Sequence, residues 1–168
     1  MLKKRTGFTI VELLIVIVVI GILAALSIVV YNGIQNRAHD TTIKSDLSNL
    51  SRQIAAYHAI NGHYPSTPTS LLELNANPTH GSYDTSRTLN LSYCTTGGGT
   101  GTGYAIGGIS KSGKRFFVSS QSGVAEYSES QTADGNQEDL NTNCSDLLPT
   151  AIRVYAGYNN NWRAWAGG

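Results

Sequence analysis

The chain reads as α+β, with one very long N-terminal helix laid against a small antiparallel sheet. Three observations predict this. No proline interrupts the stretch from Phe8 to Ile60. The apolar pattern there is continuous at first and then narrows to a single stripe. Beyond Pro65, short alternating runs are separated by Gly-, Ser- and Asn-rich turns, the composition of strands and their connections.

The first part of the predicted helix is apolar on every side. From Leu13 to Val30 the only exceptions are Gly21 and Ser27. Eighteen residues at about 1.5 Å rise each give roughly 27 Å, close to a bilayer's hydrocarbon thickness. Lys3, Lys4 and Arg5 precede the run, and no basic residue follows until Arg37. The positive-inside rule then leaves the N-terminus in the cytoplasm and the remainder outside. Glu12 is the anomaly. A carboxylate within a membrane helix costs about 2.5–3.5 kcal/mol at mid-bilayer and less near an end. It needs a partner, and beyond Lys3 to Arg5 no cation of the same chain lies near.

Past the membrane-length run the pattern becomes amphipathic. Ile43, Leu47, Leu50, Ile54 and Tyr57 recur at helical spacing, with Lys44, Ser48, Ser51, Arg52 and Ala55 opposite. Asn61-Gly62 supplies the stop and Pro65 follows. A helix of about 53 residues would be near 80 Å long. Next, Ser70-Leu71-Leu72-Glu73 has capping-box spacing and opens a short helix. Thr88 to Tyr93 alternates weakly as a strand, and Gly97 to Gly103 is a flexible loop. Tyr104 to Ser110 and Arg115 to Ser120 flank Lys111-Ser112-Gly113-Lys114, a hairpin turn, with Val124 to Ser128 as a third strand. A polar loop from Glu129 to Asn143 leads to Cys144. These runs predict three to five strands packed on the outer half of the helix.

The N-terminus as a whole, Lys3-Lys4-Arg5-Thr6-Gly7 before Phe8-Thr9-Ile10-Val11-Glu12, resembles that of type IV prepilins and type II secretion pseudopilins. Ala56-Tyr57 and Asn61-Gly62-His63-Tyr64-Pro65 resemble the helix exit of the same proteins, and Gly21 and Tyr31 fall where they commonly carry Gly and Tyr. One departure is Val29, where many pilins have a proline marking the stretch that melts on assembly. The match covers roughly residues 3–65. An ordinary signal peptide cut after Ser27 and an uncleaved anchor share the basic and apolar regions. Neither needs an acid inside the apolar run.

The resemblance implies a pilin-like α+β fold in four segments. These are a cytoplasmic leader, 1–7; a transmembrane or filament-core half-helix, 8–30; an amphipathic half, 31–62; and a β-rich head, 63–168, with a variable loop between paired cysteines. A prepilin peptidase and methyltransferase would cut between Gly7 and Phe8 and methylate Phe8. Glu12 would pair with the N-terminal amine of a neighbouring subunit during assembly. The implied partners are identical subunits in a helical filament, an inner-membrane assembly platform and, before assembly, membrane lipid. The expected function is a structural type IV pilus subunit in the cytoplasmic membrane and then in a fibre. The alternatives are a major pseudopilin of a secretion or DNA-uptake system, and an anchored binding domain that never polymerises.

Chemistry-bearing motifs elsewhere are weak, and no enzyme or cofactor is expected. Gly108 to Lys114 satisfies seven places of a P-loop, but Arg115 replaces the Ser or Thr and strand follows instead of helix. His39, His58, His63 and His80 lack metal-ligand spacing and read as solvated. Asp134, Asn136, Glu138 and Asp139 cluster oxygen ligands suited to calcium, but lack the EF-hand glycine and terminal glutamate, so the loop reads as solvated and no metal is assigned. Tyr155, Tyr158, Trp162 and Trp165 form either a contact surface or a layer on the sheet. Cys94 and Cys144 lie outside the membrane by the topology above. They read as one disulfide closing a loop of roughly 50 residues, or as two free thiols. Of 12 basic residues, losing the three at 3–5 leaves nine against 11 acidic. That balance of −2 carries no nucleic-acid footprint.

Overall fold

The structure, a computed structural model, describes residues 7–74, 76–86, 90–97, 101–127 and 144, and the backbone of 152–157. Helix α1 runs Ile10–Asn61 and α2 Pro68–Leu72. A 3-10 turn at His80–Ser82 leads to strands β1 (Leu91–Thr95), β2 (Tyr104–Ile109), β3 (Arg115–Ser119), β4 (Ala125–Tyr127) and β5 (Ile152–Gly157). The fold is pilin-like α+β. The chain divides into two compact units between Asn36 and Arg37, inside α1.

In the first unit every described side chain of the helix is exposed. Leu13, Ile20 and Ile34 are 59%, 60% and 61% exposed. The apolar stretch of α1 is long enough to cross a membrane by length and composition. Its one hydroxyl is satisfied internally, because Ser27 Oγ donates to the Leu23 carbonyl at 2.8 Å.

In the second unit the predicted stripe is the core. Ile43, Leu47, Leu50 and Ile54 are buried, while Tyr57 is half-buried. The four buried residues pack with Leu91, Tyr93, Tyr104, Ile106, Phe116 and Val118 in one cluster. Each fully buried Leu or Ile contributes roughly 1.5–3 kcal/mol relative to exposure. The helix ends where Gly62 turns to φ 77 and its N–H donates to the His58 carbonyl at 2.8 Å. The Asn61 side chain covers a further carbonyl, that of Tyr57, at 3.0 Å.

The sheet is antiparallel with order β4-β3-β2-β1-β5. Ile106 stands between Tyr93 and Val118, and Gly108 between Leu91 and Phe116. Gly108 is small for a reason: a Cβ there would lie 3.0 Å from Tyr83 Cε1 and 3.4 Å from Ile43 Cγ2. The opposite face is covered as well. Ser92, Cys94, Ala105, Ile109, Arg115 and Ser119 are all buried. Cys94 and Cys144 are joined by a disulfide with Cα atoms 5.6 Å apart, 50 residues apart in sequence. Closing a loop of that size stabilises by about 2–4 kcal/mol.

Several elements differ from the sequence expectation. Helix α2 is capped by Thr67, not Ser70. Thr67 accepts from the Ser70 N–H at 3.2 Å, and the Ser70 hydroxyl accepts from the Thr67 N–H at 3.1 Å. Pro68, with its fixed φ, suits the first helical position and moves the start forward by three residues. Strand β1 lies later than 88–93, and 88–89 fall outside the described residues. The five strands fall within the expected three to five, but no run was assigned to the position of β5. The glycine loop is no simple linker, since the Tyr64 N–H donates to the Gly101 carbonyl at 3.0 Å.

Gly101 carries φ +51, and a Cβ on it would sit 2.3 Å from the Tyr64 carbonyl oxygen. Gly101→Ala is expected to cost at least about 1–3 kcal/mol through the left-handed backbone alone. For a chain of this size that lowers Tm by about 2–4 °C per kcal/mol. Gly113→Ala, at φ +86 in open space, isolates the backbone share. Thermal unfolding of both variants should rank Gly101→Ala clearly lower.

Candidate functional site at the helix N-terminus

Gly7, Phe8 and Thr9 stand outside the helix, and α1 begins at Ile10. Thr9 sets that boundary. Its Oγ accepts from the Glu12 N–H at 3.2 Å, while its own N–H donates to Glu12 Oε2 at 2.9 Å. The Thr9 hydroxyl also donates to the same Oε2 at 2.7 Å. This reciprocal pair is a capping box, Thr-x-x-Glu, in which two orphan N–H groups are satisfied at once. The first ladder bond follows, from the Leu13 N–H to the Thr9 carbonyl at 3.3 Å.

The arrangement answers the question raised by an acid in an apolar run. Sequence reasoning found no cation in reach, yet Glu12 does have partners within its own chain, and they are neutral. The negative side chain also lies in the first helical turn, where the macrodipole favours an anion. The signal was visible as Thr9-Ile10-Val11-Glu12, the spacing of a capping box. Around this polar point everything is apolar and exposed: Phe8 is 82% and Ile10 84% accessible. The Gly7–Phe8 peptide precedes the capped turn, so helix formation does not enclose it.

Other candidates fare differently. The Ser110–Lys114 turn has these backbone donors engaged, with the Gly113 N–H on the Ser110 carbonyl, the Ser110 N–H on the Lys114 carbonyl and the Lys111 N–H on the Ser82 carbonyl. Strand β3 follows it, so no helix N-terminus is offered to a phosphate. The histidines are not simply solvated. His39 Nδ1 lies 3.3 Å from Ser82 Oγ, His58 stacks on Tyr64 at 4.3 Å, and His63 meets the Tyr57 ring edge-on at 5.9 Å. Among the described residues no three His, Cys, Asp or Glu side chains gather as metal ligands. Asp134, Asn136, Glu138 and Asp139 lie outside the described residues, as do Tyr158, Trp162 and Trp165.

Comparison with known proteins bears on the same end of the chain. Residues 2–28 match the family described as the prokaryotic N-terminal methylation motif. The type II secretion system core protein G of Escherichia coli (strain K12) is 37% identical over 76 residues, covering 45% of this chain and 52% of that protein. Its counterpart in Pseudomonas aeruginosa is 34% identical over 77 residues, 46% of this chain and 54% of the relative. That of Vibrio cholerae is 32% identical over 79 residues, 47% and 54%. The matches thus span about half the length of the curated relatives.

Thr9→Val keeps shape but removes the acceptor for the Glu12 N–H and the hydroxyl donor to its carboxylate. Losing an N-cap of this kind costs about 0.5–2 kcal/mol of helix stability. Amide exchange of the micelle-embedded chain should show faster exchange at Glu12 and Leu13, with the Ile43–Ile54 segment unchanged. Thr9→Ser should restore the slow rates.

Proposed function

We propose that this chain, which carries a prepilin methylation motif and is distantly homologous to the type II secretion core protein G, is a filament-forming pseudopilin that serves a secretion system and has no catalytic activity of its own. The observation that carries the reading is the capped carboxylate of Glu12 at the head of an otherwise apolar, exposed helix. The type II secretion relatives favour this over a surface pilus subunit. They also favour it over an anchored domain that stays alone, for which an acid in the apolar run brings cost without return.

In this reading a prepilin peptidase cuts after Gly7 on the cytoplasmic side. The bond lies before the capped turn, and glycine lets an enzyme approach the backbone closely. Phe8 becomes the new N-terminus and is methylated. The apolar half of α1 holds the subunit in the cytoplasmic membrane with the head outside, and Thr9 lowers the cost of Glu12 there. On assembly, the exposed apolar surfaces of neighbouring helices pack together and the Phe8 ammonium of one subunit meets Glu12 of the next. A charged hydrogen bond of that kind contributes about 1.5–3 kcal/mol. Leaving either group buried without the other costs more, about 3–5 kcal/mol.

Two outcomes are expected. Mass spectrometry of the mature protein should show a chain starting at methylated Phe8; a start at Ile28 would overturn the prepilin reading. Glu12→Ala should leave export, cleavage and the folded head intact while lowering fibre yield, and Glu12→Gln should also fall short because the amide has no charge. Electron microscopy of sheared fibres, with immunoblots of the membrane pool, reads both. Normal yield from Glu12→Ala would remove the pairing and favour the solitary anchor. Deleting the gene should block protein export to the medium, whereas loss of surface fibres with export intact would point to a pilus.

A further inference from the structure

The two edges of the sheet are built differently. Strand β4 is held to β3 by a local turn, in which the Ser119 N–H donates to the Ser122 carbonyl at 3.1 Å. Strand β5 has no such neighbour in sequence. It pairs antiparallel with β1, Leu91 opposite Gly157 and Thr95 opposite Ile152. The described strand before it, β4, lies on the far edge. Residues 128–151 thus join two strands held four spacings apart, roughly 19 Å at about 4.8 Å each.

The disulfide shortens that connection. Cys94 lies in β1 where the β1–β5 register shifts, between Tyr93 opposite Tyr155 and Cys94 opposite Arg153. Cys144 is bonded to it, so only residues 145–151 lead from the bond to the start of β5. Both cysteines are buried. Effective concentration falls roughly as the −3/2 power of connecting length, so opening the bond dilutes β5 at β1 about sixfold. What β5 leaves behind is the outer edge of β1. That edge is a row of unpaired N–H and C=O groups on a strand whose other side is paired with β2 from Leu91 to Thr95.

We propose that the outer edge of β1 is a strand-acceptor site whose occupant is selected by the Cys94–Cys144 bond. With the bond closed the occupant is β5 of the same chain; with it open, β5 of a second copy can take its place. A second copy fits because it presents the same strand in the same antiparallel register and restores the same backbone pairing. Cys144 travels with β5, so an exchanged strand brings its own thiol to the acceptor's Cys94. Opening is a thiol–disulfide exchange. A dithiol reductant gives up two electrons and two protons, its own sulfurs join, and Cys94 and Cys144 each become a thiol. Oxidation after exchange reverses the step between chains. The site lies within the head and rests neither on filament formation nor on secretion.

Two measurements on the full chain in neutral detergent micelles test this. With a dithiol reductant present, the β5 amides should exchange about sixfold faster, while those of β2 and β3, which report opening of the whole head, keep their rates. Unchanged protection of β5, or loss in step with β3, overturns the proposal. In the second, Cys94→Ser and Cys144→Ser chains are mixed in equal amounts at about 0.1 mM and oxidised with a small-molecule disulfide, within roughly tenfold of the effective concentration of a short connection. Each chain then has one thiol, and random collision would give as many like pairs as mixed ones. Strand exchange should give the mixed Cys144–Cys94 pair in clear excess; a random share, or no pair at all, overturns it. Tyr155→Pro with Ala156→Pro on the Cys94→Ser chain should abolish the excess. Consecutive strand residues alternate in facing the neighbour, so one of the two prolines removes a donor to β1. An excess that survives both would mean contact without strand pairing and overturns the proposal too. Should the single-cysteine chains fail to fold, isotope-labelled and unlabelled wild type can be reduced, mixed and reoxidised. Isotopically mixed 94–144 peptide pairs are expected only after reduction, and their absence overturns the exchange.

Discussion

A single helix here has to satisfy two different surroundings, and that requirement orders the rest of the molecule. Over the first 25 or so residues of α1 the surface is largely apolar, and every side chain described there is exposed. From Ile43 onward only one stripe is apolar, and a sheet covers that stripe. The change happens without a break in the backbone ladder, because no proline intervenes and each residue type tolerates the helix. A helix that is apolar all round is one that is buried in its working surroundings. In the proposed reading those surroundings are lipid first and copies of the same helix afterwards.

The head closes on α1 through polar contacts as much as through its core. Tyr104 Oη lies 2.8 Å from Ser51 Oγ, and the Tyr93 hydroxyl donates to the Pro65 carbonyl at 2.8 Å. These two phenols are largely buried, and each carries its hydroxyl to a partner, which is the condition for burying tyrosine without penalty. Tyr64 packs between them and the helix exit, with rings 4.9 Å from Tyr104 and 4.3 Å from His58. The Asn-Gly-His-Tyr-Pro exit is thus an aromatic joint as well as a helix stop. It explains why Gly101, on a loop distant in sequence, must come so close to Tyr64.

Much of this was legible in the residues, and the failures have physical causes. The extent of α1, its buried stripe and the β2–β3 hairpin follow from periods of 3.6 and 2 and from one turn, so they could be read directly. The weak alternation of β1 and β2 was the sign of a sheet buried on both faces, where small residues such as Ser92, Ala105 and Gly107 replace a polar outer row. Strand β5 is less legible although Ile152-Arg153-Val154-Tyr155 alternates, because the run is short and is followed by glycine and asparagines that read as a loop. At the candidate site, Gly7, Phe8 and Glu12 were picked out by their order along the chain. Thr9 is less legible, because a cap is a relation between two residues three apart and not a property of either alone.

The two acids on α1 show why that distinction matters. Glu12 and Asp46 both take hydrogen bonds from a threonine N–H and hydroxyl, and no cation touches either among the described residues. Their surroundings differ. Glu12 lies at the exposed tip of its helix, where the N-terminal dipole favours the anion and one strong new partner can still arrive. Asp46 is nearly buried against the Thr79 to Tyr83 segment, and the Thr79 N–H and hydroxyl both donate to its oxygens. Its donors thus tie two parts of one head together. In the proposed assembly Glu12 instead keeps an open side for an ammonium group from outside the chain.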